Sequence, residues 1–363
     1  MLKKKLGSKE VIKKVAETVV CRKEESPKDS SSPILIPSGS TLLNLALSDT
    51  INGAYKPGTM VNLIGDSSSG KSFLAWTMFA EIARSPIFAH YVRVYDEPEH
   101  AFFMDMAKLF GLSEDSVTTD VFSDAIENWF INLMNQINNK DSFVYVLDSF
   151  DALNSNDEKE KIEELIKKGE MPGGYGTDKA KISGQVLRNA VGEISNTGSL
   201  LFIISQTRDK IGVMFGDKKT RSGGRALKFY ATNEIWMAVK EHIKHKKHKD
   251  RSIGVQVIVK CKKNKLTGKE RTIEFPILYD YGVDDITSMV EFLKKEGYWK
   301  GTEGHMTGYL GDEEITGSLE SIVKLIEDDN LEEALKQEVY KAWMEIENSM
   351  LTNRKPKYGS LGE

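Results

Sequence analysis

Short apolar runs alternate with amphipathic stretches along most of this chain. Strand-length runs at 60–64, 89–95, 143–147 and 200–205 are separated by helical spacing at 71–84, 101–110 and 184–195. That βαβ rhythm predicts an α/β fold with a mostly parallel central sheet. Two further strands, at 233–239 and 253–260, flank the basic segment KHKKHKDR at 244–251 in the manner of a hairpin. Beyond residue 281 the pattern turns helical, at 286–296 and 319–350, around the Gly-rich GYWKGTEGHMTGYLGDEEITG, which predicts a small C-terminal domain. At the other end, Leu6, Val11, Ile12, Val15, Val19 and Val20 lie near helical spacing, which predicts an amphipathic helix over 2–20 whose apolar side needs a cover. The polar, turn-rich RKEESPKDSSSP at 22–33 is a linker or exposed arm. The division is therefore 1–32, 33–283 and 284–363.

Length and composition narrow the class. At 363 residues the chain exceeds one ordinary core. With 40% hydrophobic and 29% charged residues it has a soluble globular composition, and its longest apolar runs are strand-sized. The N-terminus carries positive charge without an apolar signal region, which predicts a cytoplasmic protein. Cys21 and Cys261 are far apart and lack metal-ligand spacing, so both are expected to be inert thiols. The net charge of −4 announces no polyanion partner, but basic residues cluster locally, at 244–251 and in KCKKNK at 260–265.

GDSSSGKS, from Gly65 through Asp66, Ser67, Ser68, Ser69, Gly70 and Lys71 to Ser72, matches the phosphate-binding loop pattern between an apolar strand and a helix. Small residues let backbone N–H groups converge on phosphates at a helix N-terminus. Lys71 supplies a charge to the β- and γ-phosphates, and the Ser72 hydroxyl is placed to ligate Mg²⁺. Asp148 ends the apolar run FVYVLDS, which puts a second Mg²⁺ ligand, a carboxylate, at the sheet edge where ligands bind. ATP and Mg²⁺ are thus the expected cofactors. Hydrolysis also needs a group to activate water, and Asp96, Glu97 and Glu99 all compete for that role on spacing alone. A different signal lies at 211–230, IGVMFGDKKTRSGGRALKFY: no strand or helix period, a Gly-Gly pair, interspersed cations and apolar residues at its start. Such a stretch suits a loop lying on a nucleic-acid backbone with an apolar wedge among the bases.

Over about residues 33–283 the chain resembles the RecA-type recombinases, of both bacterial and viral UvsX-like kinds. PSGSTLLNLALS, GDSSSGKS, EHA, LDS, SQTRDKIGVMFG, SGGRALKFYA, KKNK and FPILYDYG carry the resemblance. It implies a RecA-like P-loop ATPase core, with the N-terminal helix as a polymerisation arm. It also implies Glu99 as general base, Gln206 as the phosphate-sensing glutamine, and Lys263 and Lys265 as charges reaching a neighbouring subunit's γ-phosphate. Phe229 matches an interface aromatic. In the second DNA loop it implies Arg208 and Lys210 on phosphates, Ile211 between base triplets, and Gly223, Gly224 and Arg225 at the backbone. The first loop, GEMPGGYGTDK at 169–179, is followed by Lys181 and Arg188 on a helix. The expected partners are single-stranded DNA, homologous duplex and further copies of the chain in a helical filament, with ATP-dependent pairing and strand exchange as the activity.

The sequence departs from the family in several places. DEKEKIEELIKK at 157–168 is a helical insertion beside the first loop, whose wedge is Met171 or Tyr175. Met106 stands where the family has an adenine-stacking tyrosine, and Ala238 and Val239 replace an arginine pair of the secondary DNA site. The basic 244–251 tip is the candidate replacement for that pair. A hexameric helicase of the DnaB kind and a nucleotide-gated scaffold without strand exchange are the rival readings; the KIGVMFG run argues against the helicase.

Overall fold

The structure, a computed structural model, describes residues 34–100, 104–168, 177–209, 219–221, 224–352 and 354. They fall into two compact units, Asp29–Ser288 and a smaller one containing Met289–Glu363. The large unit is built on a mostly parallel sheet of β1 (Thr59–Gly65), β2 (Val92–Asp96), β3 (Thr118–Val121), β4 (Phe143–Leu147), β5 (Leu200–Asp209) and β7 (Asn233–Lys244). It is extended antiparallel by β8 (Ser252–Asn264), β9 (Arg271–Leu278) and β10 (Gly282–Val283), while β6 (Lys219–Arg221) pairs with β5. The strand order is β10-β9-β8-β7-β1-β5-β4-β2-β3.

Every residue of β4 is buried, as both faces of a parallel sheet require. Phe143, Tyr145 and Leu147, with Leu201 and Ile203 of β5, pack on α4 (Ile126–Asn138) and α6 (Thr177–Thr197) through Trp129, Leu133, Leu187, Ala190 and Ile194. α2 (Lys71–Arg84) also buries aromatics: Trp76 lies 4.7 Å from the Tyr95 ring. α1 (Thr41–Ser48) starts at the Ser40 cap, and Asp285, the first residue of α8 (Asp285–Lys295), accepts from Thr41 N at 2.7 Å and from its hydroxyl at 2.6 Å. Cys261 is buried, and that burial pushes its thiol up to about 12, consistent with an inert side chain.

Several element boundaries differ from the sequence reading. Ala89 and Tyr91 are tied into turns by Ser85 and Phe88 carbonyls, so β2 starts only at Val92. Among the described residues of the 101–110 stretch, Met104 and Asp105 are not helical. The Asp105 carboxylate instead caps α3 (Met106–Phe110) through Lys108 N at 2.9 Å. Gly111 closes that helix at φ 61°. The insertion is helical as expected, as α5 (Asn156–Lys168). α4 and β3 had no place in the sequence reading: the run Trp129–Ile131 includes the exposed Ile131, which blurs the helical period, and β3 is four residues long with no buried position.

In the small unit the Gly-rich stretch is a three-stranded antiparallel sheet, β11 (Lys300–Thr302), β12 (His305–Leu310) and β13 (Glu313–Gly317). Gly301 and Gly308 are spatial necessities, a Cβ on Gly301 falling 2.3 Å from the His305 carbonyl oxygen. A Cβ on Gly308 would lie 2.0 Å from the Trp299 ring. The expected 319–350 helix is two, α9 (Leu319–Asp328) and α10 (Glu332–Ser349), because Asn330 turns left-handed at φ 54°.

Candidate ATP and DNA site

The C-terminal ends of β1, β2, β4 and β5 lie side by side. Gly65 is in register with Gln206, Asp96 with Leu147, and Leu147 with Ile203. The loop after β1 and the residues after β2 and β4 therefore share one sheet edge, the position at which open α/β sheets bind ligands. Close packing requires two glycines here: a Cβ on Gly65 would sit 2.4 Å from the Met237 carbonyl, and one on Gly70 2.3 Å from Ile277 Cδ1, with φ at 87°. Ser67 and Ser68 are exposed on the loop, Ser68 at φ 59°, while the Ser69 hydroxyl closes it on the Asp66 carbonyl at 2.8 Å.

Lys71 is 8% exposed, and its ammonium donates to the Asp66 carbonyl at 2.6 Å. Burial pulls its pKa down, against the opposing pull of Asp148, Asp66, Glu99 and Asp151. A buried ammonium folded onto its own loop, at the N-terminus of α2, is a fit for a multiply charged phosphate. Ser72 Oγ donates to Asp148 Oδ2 at 2.5 Å, and the Tyr95 hydroxyl donates to the same oxygen at 2.7 Å. Burial, foremost, pushes the Asp148 carboxyl up, while these two hydroxyls pull it down. Burial and the Asp148 charge hold the Tyr95 phenol far above its ordinary range, so it remains a donor. A hydroxyl from the first turn of α2 and a carboxylate just past the end of β4 are a hard-cation donor set that fits Mg²⁺.

The three competing carboxylates separate by environment. Asp96 is buried and accepts from Ser123 N at 2.8 Å, the Ser123 hydroxyl and the Tyr145 hydroxyl at 2.6 Å. Its burial raises its pKa, and its acceptor sites are turned into the sheet edge. Glu97 is 8% exposed. Glu99 is exposed, and its Oε1 accepts from Ser149 Oγ at 2.8 Å and from Gln206 Nε2 at 3.2 Å. Of the three, Glu99 is the carboxylate open to solvent beside the loop.

β5 carries the next group. Thr207 donates to Asp66 Oδ1, which ties the strand to the phosphate loop. Gln206 N donates to Asp151 Oδ2 at 2.6 Å, and the exposed Arg208 lies 3.7 Å from Asp151 Oδ1. Tyr95 and Asp151 fall in none of the motifs read from sequence, and Thr207 lies in SQTRDKIGVMFG without a role of its own; their contacts become visible only once β1, β2, β4 and β5 are in register.

Lys181 and Arg188 are exposed on α6, and Arg225 is exposed at the start of α7 (Gly224–Tyr230), which Gly224 opens. Lys210, Ile211 and Gly223 lie outside the described residues, as do Met171, Tyr175 and the N-terminal arm. Lys263 donates to the carbonyls of Lys228 and Phe229 at the C-terminal end of α7, where a cation complements the helix. Lys265 is exposed, and the Phe229 ring beside this corner is 69% exposed. The basic tip is the far end of the β7–β8 hairpin. β9 accompanies β8 only as far as Gly254, paired with Leu278, and residues 245–251 project beyond it. His245 N donates to the Arg251 carbonyl at 2.9 Å, closing a turn that leaves Lys244, Lys246, Lys247, Lys249 and Arg251 exposed.

Among the described residues no helix is long and apolar enough to cross a membrane. A sequence profile of the RecA N-terminal domain matches residues 6–284. The chain is 32% identical over 283 residues to Protein RecA of Mycobacterium ulcerans (strain Agy99), covering 76% of this chain and 75% of that one. It is 30% identical over 308 residues to Protein RecA of Mycobacterium avium (strain 104), covering 80% and 82%. With Protein RecA of Amycolatopsis mediterranei (strain U-32) the identity is 31% over 291 residues, 77% of each chain.

Proposed function

Because this chain belongs to the RecA family, we propose that it is an ATP-dependent recombination protein that coats single-stranded DNA as a helical filament, captures homologous duplex and exchanges strands. The observation that carries this reading is the contact between Gln206 and Glu99. One end of that pair stands beside the phosphate loop, and the other is the strand that leads into the second DNA loop. A nucleotide that draws Gln206 toward its terminal phosphate changes the start of that loop, so occupancy of one site biases the other.

Lys71 and the loop amides would hold the triphosphate, and Ser72 with Asp148 would hold Mg²⁺, which when bound neutralises charge developing on the phosphates. Glu99 takes the proton of the attacking water. Lys263 and Lys265 of an adjoining copy complete the site, with Phe229 at the same subunit contact and the 1–32 arm packing on the neighbour. Arg208, Lys210, Gly223, Gly224 and Arg225, with Lys181 and Arg188, hold phosphates, and Ile211 enters the base stack. Phosphate contacts carry no sequence, so binding is sequence-neutral and salt-dependent. The basic tip at 244–251 holds the incoming duplex, and the protein works in the cytoplasm of a bacterial or phage-infected cell.

The test is D-loop formation by wild type, Lys71→Ala and Glu99→Gln. Lys71→Ala is expected to lose nucleotide-dependent activity, and Glu99→Gln to bind ATP and DNA yet turn over slowly. Closed rings that unwind a forked duplex would favour a helicase instead. Filaments that never pair homologous DNA would favour a scaffold.

A further inference from the structure

The turn that follows Asp148 holds a carboxylate with no place in the mechanism so far. Asp151 lies on the 3-10 turn Phe150–Ala152, and its side chain is 11% exposed. One oxygen accepts the Gln206 backbone N–H at 2.6 Å, and the other faces the Arg208 guanidinium at 3.7 Å. Gln206 and Arg208 are two residues apart on β5, so their side chains share one face of the strand. Asp151 therefore touches the sensing residue through its backbone and the DNA-contacting residue through its charge.

The two partners are held very differently. The Asp151 turn is pinned from behind by Lys179, whose ammonium donates to the Leu153 carbonyl at 2.5 Å and the Asp151 carbonyl at 3.3 Å and lies 4.8 Å from the Phe150 ring centre. The backbone that carries Asp151 is thus held in place, and one of its carboxylate oxygens is held by the Gln206 N–H. The Arg208 side chain is 68% exposed and is free to swing. A phosphate approaching Arg208 must therefore take the guanidinium away from that carboxylate, and a phosphate bound at hydrogen-bond distance outcompetes an ion pair held 3.7 Å apart.

We propose that Asp151 is a positioning residue that competes with DNA phosphate for Arg208, holding the end of β5 in its DNA-free arrangement beside Glu99 and Gln206 until a strand binds. The inference rests on the reading of Arg208 as a DNA contact. It makes release of the Asp151–Arg208 pair part of the cost of DNA binding. Whatever weakens that pair then strengthens DNA binding by the same factor.

The experiment measures binding of a fluorescent oligothymidylate to the full chain, without nucleotide, in a double-mutant cycle. Asp151→Asn is expected to bind about two- to fivefold tighter than wild type, the range of an exposed ion pair. On an Arg208→Gln background the same change is expected to have no effect, which separates competition for one guanidinium from a general loss of negative charge. Asp151→Ser, whose hydroxyl still accepts an N–H, is measured in parallel so that the outcome does not depend on one variant folding. Unchanged or weaker binding by both variants overturns the proposal, as does a gain that persists without Arg208. If Arg208→Gln alone leaves affinity intact, the assignment of Arg208 to DNA falls and this inference falls with it. If Arg208→Gln weakens binding while the Asp151 variants change nothing, only the inference falls.

Discussion

Gln206 Nε2 donates to Glu99 Oε1 at 3.2 Å, joining the end of β5 to the loop that follows β2 across the intervening strand β4. The Ser149 hydroxyl shares that oxygen at 2.8 Å, so the carboxylate is aimed by two donors from two different strand ends. Glu99→Gln keeps the shape and removes the base. Its ATPase rate is expected to fall on the order of 10²- to 10⁴-fold, with ATP and DNA retention checked by filter binding. Undiminished turnover would move the catalytic role elsewhere.

Gln206→Ala cuts the other half of the pair. Oligonucleotide affinity in this variant is expected to be nearly the same with ATP and with ADP, where wild type should differ by roughly 5- to 150-fold, the usual size of a coupling between sites. A wild-type-like ratio would show that the nucleotide reaches the DNA loops by another route.

The raised Asp148 carboxyl makes metal binding pH-sensitive. Because burial places its folded pKa above the ordinary carboxylate value, proton uptake begins at a higher pH than for a free aspartate. The sign follows directly: in the metal-free protein this group favours folding at low pH, and that contribution is lost as pH rises through the folded pKa. Mg²⁺ with nucleotide relieves the burden only when the carboxylate is charged. The rise in melting temperature on adding Mg²⁺ and ATP should therefore be larger near neutrality than in mild acid, and Asp148→Asn should flatten the difference. A Mg²⁺-dependent rise that does not change with pH would remove Asp148 from the metal site.

Charge reversal of Lys246, Lys247 and Lys249 to Glu tests the projecting tip. Duplex capture should weaken steeply, and the salt dependence of duplex binding should lose a slope of about 0.9 for each phosphate contact removed. Single-strand binding should persist. Duplex capture that is indifferent to these changes disproves the assignment.

Leu187 has no exposed surface and packs with Trp129, Leu133 and Leu201. Leu187→Ala is expected to cost about 2–5 kcal/mol in urea unfolding. A much smaller cost would mean the core repacks around the vacancy.

Much of the candidate ATP site is legible in the sequence, since the loop GDSSSGKS, the strand FVYVLDS and their spacing are local patterns. The limits of β1, α2 and β4 were readable too, because apolar runs of strand length and a phosphate-loop helix are defined by neighbours in sequence. Asp105 shows where such reading stops. Its capping bond to Lys108 N shortens a helix that periodicity alone extends back to residue 101. Asn330 does the same in the C-terminal unit, where one left-handed residue divides a continuous amphipathic pattern.

The sequence by itself determined which residues have the chemistry: a lysine and serine on a glycine loop, an aspartate ending a strand, a run of cations at a hairpin tip. Spacing along the chain did not separate Asp96, Glu97 and Glu99, and only the resemblance pointed to Glu99, because the three are equivalent as neighbours in a chain. Tertiary structure separates them by what surrounds each one. Ser123 and Tyr145 take Asp96 into the sheet, whereas Ser149 and Gln206 turn Glu99 toward the phosphate loop. Asp151 is the same lesson at longer range. Its link to Gln206 and Arg208 spans more than fifty positions and exists only because parallel pairing brings the ends of β4 and β5 to one edge. Local pattern sets the side chains available; the register of strands distant in sequence decides which of them meet.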